Sequence, residues 1–153
     1  MLYVKSFAFV VLLVCSLSLF SQKNEKFEVA LEWGPVFTSY SINETSTHLI
    51  PNLKFSFFNG AEFTFIKQVE RNGSMLWELS LESFEDQAVS SEETQFLSKH
   101  NIPILEGINF KYKNNNIRDK SIVSVEFSPY ITVNGAVRHI TSVNFNIDKR
   151  PMG

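Results

Sequence analysis

Residues 114–147 read NNNIRDKSIVSVEFSPYITVNGAVRHITSVNFNI, and the fold turns on how they are paired. Val123, Val125 and Phe127 alternate with Ser124 and Glu126, and Val143, Phe145 and Ile147 alternate with Asn144 and Asn146. A period of two is that of a half-buried β-strand. β-Branched and aromatic side chains suit a pleated surface. Asn134–Gly135 between the two runs is a turn signal. The segment therefore predicts antiparallel β-structure.

Loop length then sets which faces meet, because a shift of one residue moves every side chain to the other face. A two-residue loop pairing Val133 with Ala136 would set Phe127 against Ser142, Val125 against Asn144 and Val123 against Asn146. A three-residue loop, Val133–Asn134–Gly135, would set Val125 against Val143 and Val123 against Phe145, with Gly135 as a left-handed bulge residue. Parity predicts the longer loop. The same reasoning at Arg71–Asn72–Gly73 predicts that Val69 opposes Met75, Phe65 opposes Leu79 and Phe63 opposes Leu81. Both apolar faces are expected in one core, with Ser124 and Glu126 on a wetter face.

Working outward, Lys26–Trp33 (KFEVALEW) alternates Phe27, Val29, Leu31 and Trp33 against Glu28 and Glu32, another half-buried strand. Gly34–Pro35 ends it. Residues 41–52, SINETSTHLIPN, read as loop with a short extended piece. Phe55 and Phe57 mark a second strand, Asn59–Gly60 a turn, Phe63 and Phe65 a third, and Met75, Trp77, Leu79 and Leu81 a fourth. Residues 85–103 are polar, and Ser90 or Ser91 can cap a short helical turn running to about Ser98, with Glu92 and Glu93 in its first turn. Strands resume at Ile104–Tyr112, and KNNNIRDK reads as a polar hairpin tip. About seven to eight strands with at most one short helix predict an all-β, antiparallel β-sandwich.

Residues 1–21 read as a signal peptide. Lys5 precedes the uncharged run Phe7–Phe20, and the polar stretch SQKNEK follows. The run is shorter than the roughly 20 residues of a membrane span, and cleavage is expected near Ser21–Gln22. Cys15, the only cysteine, falls inside it, so residues 22–153 have no thiol and no disulfide. The localisation expected is therefore exported.

Fifteen phenylalanines in 153 residues and a net charge of −2 describe an aromatic-rich core without the basic stripe of a nucleic-acid binder. His48, His100 and His139 lie in three separate segments with no second ligand at helical or hairpin spacing, and read as rim histidines. Glu82, Glu85, Asp86, Glu92 and Glu93 could bind calcium but lack calcium-loop spacing, so a solvated acidic face is an equal reading. Lys111, Lys113, Arg118 and Lys120 could meet an anion, but exposed lysines at sheet edges also block aggregation. Asn43-Glu-Thr and Asn72-Gly-Ser match the N-glycan acceptor pattern, which is short and often accidental. No serine elbow, phosphate-cradling loop or paired-cysteine site is present. The expectation is no catalytic residue, no metal site, no small-molecule cofactor and no nucleic-acid partner.

The order of features resembles the N-terminal region of PorU-type sortases of the type IX secretion system, gingipain-like cysteine peptidases of the Bacteroidetes. The signal ending in LFSQ, the opening strand FEVALEW and the unit HLIPNLKFSFFNGAEFTFIKQV are each similar to pieces of that region. Residues 114–147 resemble its arginine-led strand, Pro-containing strand, glycine hairpin and hydrophobic-Thr-Ser strand. The resemblance covers most of residues 22–148. It implies a sortase that removes C-terminal secretion signals and attaches cargo to the cell surface, with a catalytic His and Cys in a later domain that no position here matches. It also implies that residues 22–153 form an N-terminal β-domain incomplete at its C-terminus. It further implies a place in the periplasm or at the outer-membrane surface of a Gram-negative bacterium, with other type IX components or the remainder of its own chain as partners. Two further readings stay open, a free-standing secreted or surface binding module and a small β-barrel around an apolar ligand.

Overall fold

Alternating side chains sort the strands into two layers that share one core. The computed structural model describes residues 25–43, 46–71 and 73–153. The expected signal peptide and Asn72 lie outside the described residues. In chain order the elements are β1 (Glu25–Ala30), β2 (Thr38–Asn43), β3 (Ser46–Ile50), β4 (Ser56–Phe58), β5 (Phe63–Glu70), β6 (Leu76–Ala88), α1 (Ser91–Lys99), β7 (Leu105–Glu106), β8 (Phe110–Ile117), β9 (Lys120–Phe127), β10 (Tyr130–Val133) and β11 (Ala136–Arg150). Among the described residues the fold is an all-β sandwich with one helix, not a barrel. The first sheet is built on β11, with β6 along one edge, β1 and β10 in succession along the other, and β7 beyond β10. The second sheet runs β4-β5-β9-β8, and β2 and β3 form a separate hairpin. All pairings are antiparallel except β10 with β7.

The pairing within residues 114–147 corrects the parity argument. Val133 pairs with Ala136, so the loop is Asn134–Gly135 alone. Both turn residues have positive φ, 51° and 79°, the geometry of a type I′ turn whose twist matches that of the flanking strands. The conflict that this register would create never arises, because the chain changes sheets at Ser128–Pro129. Pro129 has no N–H with which to continue a ladder, and its carbonyl accepts from Ile140 N–H at 2.9 Å. Val123 and Val125 therefore lie in the second sheet, opposite Val69 and Lys67. β1 takes the place expected for them, setting Phe27 opposite Phe145 and Val29 opposite Val143.

The second hairpin is corrected in the same way. β5 pairs with β4 and β9, while β6 pairs with β11, so the chain changes sheets between Glu70 and Leu76. Leu79 opposes Ile147 and Leu81 opposes Phe145. Arg71 anchors the crossing. It is 3% exposed, and its guanidinium donates to the Met75 carbonyl and, at 3.1 Å, to Asn116 Oδ1. The expected burial holds for Phe63, Phe65, Leu79, Val123, Val125, Val143 and Phe145, which belong to one core, but Leu81 is 36% exposed, and Val69 and Met75 are half-buried; Glu126 is exposed and Ser124 half-buried.

The long pairing of β6 with β11 carries two compensating irregularities. One extra residue on β11, Thr141, shifts its parity, and one on β6, Glu82, restores it. Ile140 and Val143, three residues apart, are thus both fully buried. Three stretches depart from their sequence reading. Residues 41–52 contain most of the β2–β3 hairpin rather than loop. KNNNIRDK is strand on both sides of a turn at Arg118–Asp119. The strand expected over 26–33 ends at Ala30, and Trp33 makes an isolated bridge to Leu53.

Candidate functional site

Helix α1 is defined by local chemistry. Ser90 caps it, its hydroxyl accepting from Glu93 N–H at 3.1 Å, while Glu93 Oε2 accepts from Ser90 N–H at 2.7 Å. This reciprocal capping box satisfies two donors that a helix start leaves open. The reading of Ser90 as cap and Glu93 as first-turn acid is correct, but the carboxylate does more. Its Oε1 accepts from the Tyr130 hydroxyl at 3.0 Å and meets His139 Nδ1 at 2.8 Å. Trp33 lies stacked on His139, with ring centroids 4.5 Å apart, and donates its indole N–H to the Ile140 carbonyl. Trp33, the start of α1 and the β10–β11 hairpin, distant from one another in sequence, thus meet in one buried polar network.

Burial by itself would raise the Glu93 pKa. Hydrogen bonds from His139, the Ser90 backbone and Tyr130, with the His139 charge, outweigh that and hold it below its ordinary value. Burial first, then the Glu93 carboxylate, pushes the Tyr130 hydroxyl far above its ordinary range. Tyr130 is fully buried and Glu93 is 7% exposed. Both carboxylate oxygens are engaged, and Trp33 covers the imidazole. The network fastens α1 to β10 and β11.

The open surface lies along the adjacent side of α1. A groove of about 610 Å³ runs between the helix and the β2–β3 hairpin, lined in part by Val36, Phe37, Leu49, Phe96, Lys99 and His100. Val36 and Leu49 are 63% and 64% exposed, unusual for large apolar side chains. Close by, His48 on β3 meets His100, the C-cap of α1, with ring centroids 5.1 Å apart. Both half-buried rings rest on Phe58. Burial first, then His48 and Lys99, lowers the His100 pKa. Sequence spacing gave no sign of this pair, because strand and helix meet only in the folded chain.

The other expected residues disperse. Glu82 pairs with Lys26 and Asp86 with Arg138, both across the first sheet. Glu85 is exposed, and Glu92 lines the groove. Among the described residues, no group of three or more His, Cys, Asp and Glu converges to hold an ion. Lys111, Lys113, Arg118 and Lys120 all lie on the β8–β9 hairpin, but Lys111 sits opposite Glu126 and Lys120 pairs with Glu70 at 3.1 Å, which interrupts the positive field. Asn43 ends β2, its Oδ1 accepting from the Ser46 hydroxyl. No described helix is long and apolar enough to cross a membrane.

No protein-family model matches the sequence, and no curated protein matches it. The chain resembles two solved gingipain structures in overall course. One is a complex of Porphyromonas gingivalis RgpB pro- and mature domains, at 13% identity and a TM-score of 0.42, covering 85% of this chain and 81% of that one. The other concerns zymogenic latency of gingipain K from Porphyromonas gingivalis, at 10% identity and a TM-score of 0.45, covering 84% and 100%. Both TM-scores lie below 0.5, so the likeness decides neither ancestry nor role.

Proposed function

We propose that this chain is a non-catalytic N-terminal β-domain of an exported, PorU-type sortase of the type IX secretion system, and that it supports folding or docking of the remainder of that protein. The observation that carries the non-catalytic reading is the closure of the Glu93–Tyr130–His139 network. Its carboxylate oxygens are taken within the fold, and Trp33 covers the imidazole. Nucleophilic or acid–base chemistry needs a group that can reach substrate. What the domain offers outward is apolar surface at Val36 and Leu49. The sortase assignment is supported by the sequence resemblance, whose most specific stretch, residues 114–147, supplies β8 to β11.

Three measurements test this reading. The purified chain, incubated with a substrate bearing a type IX C-terminal signal, is expected to leave it intact, and cleavage would overturn the non-catalytic role. The natural product is expected to be far heavier than 17.5 kDa, with a mature N-terminus between Ser18 and Asn24. Deletion of this region from that product is expected to impair secretion, and unchanged secretion would remove the supporting role. The exposed groove also favours a second reading, a free-standing surface module that binds a partner. A native product of about this length would select it.

A further inference from the structure

His48 and His100 are placed as two ligands of one ion would be. Two imidazoles on a tetrahedral zinc ion stand with centroids roughly 5.2 Å apart, since Zn–N is about 2.0–2.1 Å, the centroid lies roughly 1.15 Å further along the same line, and the angle at the metal is about 109°. The observed separation is 5.1 Å, with the ring planes inclined at 70°. An ion held by both would need one nitrogen of each ring aimed at a common point. Neither side chain makes a hydrogen bond to a described residue, so no existing partner has to be displaced. Phe58 lies beneath both rings, at 5.6 Å from His48 and 4.9 Å from His100, and Phe96 lies 5.1 Å from His100. That aromatic floor supplies no competing acceptor, and the groove beside His100 gives an approach from solvent.

We infer that His48 and His100 form a two-imidazole site for a divalent transition ion of the zinc class, with water completing the coordination. Imidazole ligands select such ions, whereas calcium and magnesium prefer oxygen. Lys99, beside His100, opposes a cation here, which weakens the site. Two ligands make a weaker site than the three or four of a structural or catalytic zinc centre. Its effect is a clip that ties β3 to the C-terminal end of α1, about two turns along the helix from the Glu93 network.

The test is calorimetric titration of the whole purified chain with zinc chloride. One ion per chain is expected. Losing a ligand costs at least what losing its supporting partner does, so His48→Gln or His100→Gln should each weaken binding roughly tenfold or more. Because either variant could loosen the packing on Phe58, imidazole proton resonances of the unaltered chain supply a second reading. Zinc should shift those of His48 and His100 and spare those of His139. Absence of zinc binding, binding that persists in the double variant, or shifts confined to other residues would overturn the site.

Discussion

The side-chain amide of Asn114 pairs with the main chain of Trp77 in both directions. Its Nδ2 donates to the Trp77 carbonyl at 2.9 Å, and its Oδ1 accepts the Trp77 N–H at 3.0 Å. β6 edges the first sheet and β8 the second, so one side chain stands in for a peptide group and joins the layers where no ladder does. Asn114→Ala leaves a backbone donor and acceptor of a buried residue without partners, at a cost of about 1–3 kcal/mol. Asn115→Ala, which loses only a 3.5 Å contact to Ser124, should be nearly neutral. Equal urea midpoints for the two variants would show that the seam does not need Asn114.

Acid should loosen α1 through Glu93. Its folded pKa lies below its ordinary value of 4.5. In the window between the two values the unfolded chain binds more protons than the folded one. The stabilisation is therefore complete above the ordinary carboxylate pKa and is lost as pH falls through the folded value. Glu93→Gln should flatten this part of the stability profile and lower stability at neutral pH. Denaturant unfolding of both proteins between neutral and acid pH checks it, and parallel profiles would exclude Glu93 as the group responsible.

Gly135 isolates backbone strain from crowding. A Cβ added there meets nothing within 4 Å, yet its φ is +79°. Gly135→Ala should cost about 1–2 kcal/mol through the left-handed backbone alone. Asn134→Gly, at φ 51°, should change stability little. Thermal unfolding of the pair decides, and a neutral Gly135→Ala would mean that the turn relaxes to another type.

Phe58 is fully buried, while Phe57 and Phe55 are 49% and 47% exposed. Phe58→Ala should cost about 3–5 kcal/mol, and it should also disturb the resonances of His48 and His100, which rest on that ring. Phe57→Ala should stay within about 0.5 kcal/mol of the parent. Similar losses for both would contradict the assignment of faces in β4.

The sequence alone determined whatever depends on neighbours along the chain. The alternation of Val123–Phe127 and Val143–Ile147 marked strands and their buried faces, because side chains in a strand alternate whatever the partner. Ser90 or Ser91, followed by Glu92 and Glu93, marked the start of α1 because capping is local, and the structure selects Ser90. Asn134–Gly135 marked the turn because few residues tolerate positive φ. Partner choice was decided by tertiary structure. Backbone ladders are nearly indifferent to residue type, so Val143 and Phe145 accept Val29 and Phe27 as readily as Val125 and Val123. The sheet change at Pro129 settles which they meet. The same holds for the candidate site. His48 with His100, and Glu93 with Tyr130 and His139, are brought together by strand order, and no spacing along the chain encodes that approach.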